Sequence, residues 1–176
     1  MPLYSYKGIK PQIGPGVYIA PSADVIGKVT LEENANIWHQ CVVRGDVNLI
    51  KIGKNTNVQD LTMLHVTKDF ALTIGAQVSI GHSVTLHGCT IGDNCLIGMG
   101  AIIMDGASIG ANCVVAAGSL IPPQKVYPPG CMIMGNPAVV KRQLTPEEIV
   151  LFGNHYKAYV GYKDEYLDSE IVKLFN

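Results

Sequence analysis

Aliphatic residues recur every six positions along most of this chain. Val25, Leu31, Ile37 and Val43 are six apart, and Ile52, Val58 and Leu64 repeat the step after a break at Arg44-Gly45-Asp46. Ile74, Ile80 and Leu86 follow, and a five-residue step leads to Ile91, Ile97, Ile103, Ile109, Val115 and Ile121. Ile133 and Val139 keep that last phase. A helix repeats near 3.6 residues and a half-buried strand near two, so neither alone produces this pattern. One short flat strand plus one corner accommodates a hexad, and three hexads close a triangular coil. The aliphatic side chain then points into the prism, while the corners need residues tolerant of left-handed dihedrals, here Gly, Asn and Asp. Equivalent residues stack eighteen apart, at the inter-strand spacing of about 4.8 Å.

Hexads of this kind resemble those of left-handed hexapeptide β-helix proteins, and handedness comes from that resemblance alone. The fold expected is an all-β solenoid. It is a left-handed parallel β-helix of about seven triangular coils with a C-terminal α-helix packed along it. Residues 1–12 read as a lead-in, 13–142 as the hexapeptide body, and 143–176 as helix and tail. Thr145-Pro146-Glu147-Glu148 predicts the helix start, with Thr145 as N-cap and Glu148 closing a capping box. Ile149, Leu151, Phe152, Tyr156, Tyr159, Val160 and Tyr166 would give it a broad apolar side to about Leu167, weakened by Gly153 and Gly161. Cys95, Cys113 and Cys131 are eighteen apart and predict a buried ladder of small side chains.

The function classes excluded follow from charge and length. A formal net charge of −1 gives no electrostatic footprint for nucleic acid. No apolar run is long enough for a membrane-spanning helix. The five cysteines show no CxxC pairing and the first residues show no signal-peptide core, so reduced thiols in the cytoplasm are expected.

Three of the five histidines, His65, His82 and His87, fall in two short stretches, Gln59–His65 and Gly81–His87. Three neutral imidazoles with a fourth position open are the donor set of a catalytic zinc site. The competing reading is unrelated surface histidines. His65 and His87 each follow a leading aliphatic and lie one coil plus four residues apart, so they should stack on neighbouring rungs and point outwards. The extra four fit a loop at 66–71. His82 belongs to another part of the triangle, which favours a site shared between two subunits. Cyclic closure then predicts a homotrimer with three sites.

Val43-Arg44-Gly45-Asp46, Asn57-Val58-Gln59-Asp60, Met63-Leu64-His65-Val66 and Gly81-His82 through His87-Gly88-Cys89 together resemble the γ-class carbonic anhydrase family. The resemblance runs from Ile37-Trp38 to Gly135-Asn136-Pro137. It implies that His65, His82 and His87 hold zinc, with iron(II) or cobalt(II) as substitutes, and that hydroxide on the metal attacks carbon dioxide to give bicarbonate. It further implies that Gln59 hydrogen-bonds that hydroxide with Asn57 nearby. Arg44, Asp46 and Asp60 would form an arginine–carboxylate network across the subunit interface. Tyr159 is the helix residue expected near the pocket. Two departures stand out: Val47 occupies a position that is glutamate in the best-characterised active members, and the loop after His65 is short. Lys68 and Asp69 are its only charged residues, so the family's usual proton carrier is missing. Two alternatives stay open: a hexapeptide acyltransferase using coenzyme A thioesters, and a non-catalytic metal-binding member.

Overall fold

The structure, a computed structural model, describes residues 3–169. It is a left-handed parallel β-helix of about seven turns followed by a C-terminal helical segment. Three ladders form its faces. Val25, Val43, Leu64, Leu86, Ile103 and Ile121 pair along the first. Leu31, Ile52, Ile74, Ile91, Ile109 and Tyr127 pair along the second. Ile19, Ile37, Val58, Ile80, Ile97, Val115 and Ile133 pair along the third. The leading aliphatics from Val25 to Ile121, and Ile133, are at most 1% exposed. A hexad buries one large side chain per face, so the hydrophobic gain is spread evenly along the axis, as in other repeat architectures.

The corners are made by residues in the left-handed region. One corner carries Gln40, Leu61, Ser83, Gly100 and Gly118, and another carries Asn34, Asn55, Gln77, Asn94, Asn112 and Gly130, all with φ between 57° and 72°. Gln, Leu and Ser therefore share a role expected of Gly, Asn and Asp, and no aspartate takes it among the described residues. A non-glycine residue there costs about 1–2 kcal/mol, which cross-strand pairing and core burial offset.

Three departures from the eighteen-residue coil cluster at one corner, between the first and second faces. Gly27 pairs with Gly45 but Val29 pairs with Ile50, so three additional residues enter after Gly45. His65 pairs with His87, placing four additional residues in the loop at 66–71. Ile74 pairs with Ile91, one residue short of a full coil. Asn48 Nδ2 donates to the carbonyls of Thr67 and Lys68, both at 3.0 Å, tying the two outward excursions together.

Several expectations are corrected. The lead-in is part of the sheet, because Leu3–Tyr4 pairs with Val25 and Ile26. Val139 is 48% exposed: the parallel ladder ends at Cys131–Gly135, and Ala138–Gln143 returns antiparallel to it. The C-terminal helix is present as expected, interrupted after Gly153 into α1 (Pro146–Gly153) and α2 (Tyr156–Asp168). Thr145 caps α1 with the full capping box. Gly153 presses on the Asn94 side chain, where a Cβ would lie 2.3 Å from Oδ1, and the chain bends there. Leu151 faces solvent at 69% exposure, whereas Lys163 is the buried residue of α2. Residues 170–176 of the expected tail lie outside the described residues.

The cysteines stack as the spacing requires. The Cys113 and Cys131 amides each donate to the sulfur one coil earlier, at 3.4 Å. All five cysteines are free and buried.

Candidate metal centre

The corner where the period breaks is where two histidines meet. His65 and His87 end paired strands, Met63–His65 and Thr85–His87, so the ladder register sets their rings side by side. Their centroids are 5.0 Å apart, and His65 Nδ1 lies 3.0 Å from His87 Nε2. Each ring is held from behind by a carboxylate. His65 Nε2 donates to Asp46 Oδ1 at 3.0 Å, and His87 Nδ1 donates to Asp105 Oδ1 at 2.6 Å. A carboxylate only accepts, so both outward nitrogens carry the ring hydrogen. The two inward nitrogens then face each other as acceptors, an arrangement that a metal ion between them would satisfy.

That geometry fits a metal. Two imidazoles on one tetrahedral zinc at about 2.0–2.1 Å hold their nitrogens roughly 3.3 Å apart, close to the separation seen. A carboxylate on the far nitrogen fixes the tautomer and strengthens the ring as a ligand. Burial disfavours the charged form of Asp46, but hydrogen bonds from His65 and Arg44, and the Arg44 charge, outweigh it. The Asp46 carboxyl therefore lies below its ordinary pKa. Asp46 sits in the three-residue insertion, which turns it back towards His65.

His82 stands at another corner, between the third and first faces. Its Nδ1 donates to Asp60 Oδ2 at 3.0 Å, which leaves Nε2 outward. Among the described residues, one chain gathers no group of three His, Cys, Asp or Glu side chains able to hold a metal. The sequence-based set thus divides: His65, His87, Arg44 and Asp46 at one corner, His82 and Asp60 at the other. Arg44 pairs with Asp46 within the chain; a network that also includes Asp60 needs a second chain.

Gln59 and Asn57 lie buried on the third face, next to Asp60. Asn57 Nδ2 donates to Ser79 Oγ at 2.9 Å, so its Oδ1 is the acceptor for Gln59 Nε2 at 3.1 Å. That chain fixes the Gln59 amide and leaves Oε1 as an acceptor without a partner among the described residues. Beside Gln59 is a cavity of about 220 Å³ lined by Gly81, Ile97, Gly98, Met99 and Ala117, with His155 at the helical side. Tyr159 packs edge-on to Trp38 at 5.6 Å. Burial first, then the Asp60 charge, raise its phenol above the ordinary value, which puts α2 within electrostatic reach of the His82 corner. Asp105 was missed in the sequence, although it lies one full coil after His87 and the eighteen-residue arithmetic could have found it. A larger cleft of about 500 Å³, between Gln12–Pro15 and Thr30–Glu33, contains no histidine.

Known proteins resemble this chain at both levels. The family model for bacterial transferase hexapeptide repeats (six repeats) matches residues 72–103 and 88–123. Protein YrdA of Escherichia coli is 48% identical over 110 residues, 58% of this chain and 60% of that protein. Gamma carbonic anhydrase 2, mitochondrial, of Arabidopsis thaliana is 45% identical over 101 residues, 54% of this chain and 36% of that protein. The match thus spans less than two thirds of these curated relatives. A solved Bacillus cereus protein, provisionally described as an acetyltransferase, superposes with a TM-score of 0.92 at 39% identity. That superposition covers 94% of this chain and 96% of the other. The repeat, the fold and these relatives together place the chain in the γ-carbonic-anhydrase-like family of hexapeptide-repeat β-helix proteins.

Proposed function

We propose that this protein is a metal-dependent carbonic anhydrase of the γ type, hydrating carbon dioxide reversibly to bicarbonate. The observation that carries this reading is the facing pair of bare nitrogens on His65 and His87, each ring backed by a carboxylate. Zinc is the group they fit best, with iron(II) or cobalt(II) as substitutes; His65 Nδ1, His87 Nε2 and His82 Nε2 would hold it. When bound, zinc at such a site lowers the pKa of a water towards about 7 and so supplies a nucleophile at neutral pH.

His82 comes from a second chain in this reading, and a homotrimer supplies one such pairing per interface. Support for an interface comes from apolar side chains left on the surface between the two corners: Leu61, Met63, Met99 and Ile102 are 39–60% exposed. Gln59 Oε1, fixed through Asn57, would accept a hydrogen bond from a water at the metal and orient it. The small apolar cavity beside Gln59 suits carbon dioxide, and it is smaller than the roughly 300–1,000 Å³ of sites that bury larger ligands. No helix among the described residues is long and apolar enough to cross a membrane. Five buried free thiols suit a reducing cytoplasm.

The acyltransferase reading draws on the solved relative described as an acetyltransferase. The test separates the two. Protein loaded anaerobically with zinc, or with iron(II), is assayed for carbon dioxide hydration and for acetyl-CoA turnover, with His82→Ala as control. The expected result is metal-dependent hydration that His82→Ala abolishes together with bound metal, while the coil stays folded. Full metal occupancy in that variant, or no hydration with metal verified in the wild type, refutes the proposal.

A further inference from the structure

We propose that His39 is the proton-transfer residue of this site, taking the place of the missing acidic loop. The inference rests on the carbon dioxide reading, because hydration releases one proton for each bicarbonate formed.

The corner that carries His82 is a ladder. Gln40, Leu61, Ser83 and Gly100 are its left-handed residues, and the residue before each is His39, Asp60, His82 and Met99. Leu61 donates its amide to His39 O, Ser83 to Asp60 O, and Gly100 to His82 O, so these positions are equivalent on successive coils. His39 therefore stands one rung from Asp60 and two from His82, roughly 10 Å away at the rung spacing. A chain of about three waters, at about 2.8 Å per hydrogen bond, bridges such a span. In the single chain the Asp60 and His82 side chains are 34% and 40% exposed, so both reach the surface of the corner.

His39 differs from the three proposed ligands in what holds it. His65, His82 and His87 each give one ring nitrogen to a carboxylate. His39 Nδ1 instead lies 3.0 Å from Ser22 Oγ, which also accepts the Gln40 amide at 3.2 Å. For proton transfer Nδ1–H donates to Ser22 Oγ, a hydroxyl that could also donate to a bare Nδ1; unlike a carboxylate it adds no charge of its own. Nε2 is then the nitrogen that takes up a proton and releases it. The groups around the ring are the Ser22 hydroxyl from the coil above, Asp60 from the coil below, and the Tyr166 ring of α2 at 6.3 Å.

The step balances simply. Water adds its oxygen and one hydrogen to carbon dioxide as bicarbonate; the second proton passes to Nε2 of neutral His39, and the imidazolium returns it to a buffer base.

The experiment compares wild type, His39→Gln and Ser22→Ala, each loaded with zinc. In dilute buffer His39→Gln is expected to lower kcat roughly 10²-fold, with kcat/KM and zinc content unchanged and kcat restored by added imidazole. A readout independent of turnover is the ¹⁵N spectrum of neutral His39: Nδ1 protonated and Nε2 bare in wild type, with the balance moved towards Nε2–H in Ser22→Ala. Normal wild-type hydration with an unchanged kcat in His39→Gln overturns this inference and leaves the carbon dioxide reading standing. So does a parallel fall in kcat and kcat/KM that imidazole does not restore, or a neutral ring protonated at Nε2. No metal-dependent hydration by the wild type overturns both.

Discussion

Asp105→Asn isolates the carboxylate behind His87. In the folded chain Asp105 Oδ1 takes the His87 Nδ1 hydrogen at 2.6 Å, the shortest of the three histidine–carboxylate contacts. An amide in that place can still touch the ring, but it no longer guarantees an acceptor or a negative charge, so Nε2 is a weaker and less fixed donor. Losses of this kind cost about 10–100-fold in metal affinity, or roughly 1.4–2.8 kcal/mol. The apo fold should hardly change, because the Asp105 side chain is 31% exposed and a contact of that exposure contributes under about 1 kcal/mol. The assay is zinc affinity by competition with a chelator, beside a thermal melt of the metal-free protein. Asp93→Asn is the control: Asp93 Oδ1 also sits in a corner, but it accepts the Ala76 amide at 2.8 Å and touches no histidine. Wild-type zinc affinity in Asp105→Asn, or an equal loss in Asp93→Asn, would refute the reasoning.

Three further outcomes follow from the frame. Leu86→Ala removes a side chain with no exposure directly behind the His87 strand, and should cost about 2–5 kcal/mol in denaturant unfolding. Gly98→Ala places a Cβ 2.4 Å from the Ala117 amide nitrogen of the next coil; a loss of about 1–3 kcal/mol is expected, and a melt at the wild-type temperature would count against the close coil approach. Hydrogen bonds from Arg142 and from the Thr145 backbone hold Glu148 down to a pKa of about 2. Its folded value is below its unfolded one, so its contribution to capping α1 is fully present above the ordinary glutamate range and is lost progressively as pH falls from there to about 2. Amide exchange across α1 between pH 5 and pH 2 checks this, and protection that stays unchanged down to pH 2 would contradict it.

The solenoid was legible because each hexad repeats the same local problem: one aliphatic residue to bury and one corner to turn. Periodicity therefore carries the register, and the pairing of His65 with His87 follows from counting residues. The return strand at Ala138–Gln143 was not legible, since Val139 keeps the aliphatic phase while its coil has ended. The weak point at Gly153 was legible, but not its close approach to Asn94 some sixty residues earlier. By itself, the sequence determined the coil, the stacked cysteines, the capping box and the candidate ligands, all properties of spacing along one chain. Only the tertiary structure decided that Asp46 and Asp105 close on the two rings, that Asp60 holds His82, and that Ser22 holds His39. Those contacts join residues seventeen to twenty-two apart through side-chain direction at a corner. Ring orientation there is set by which partner reaches which nitrogen, and a period in the sequence carries no information about that.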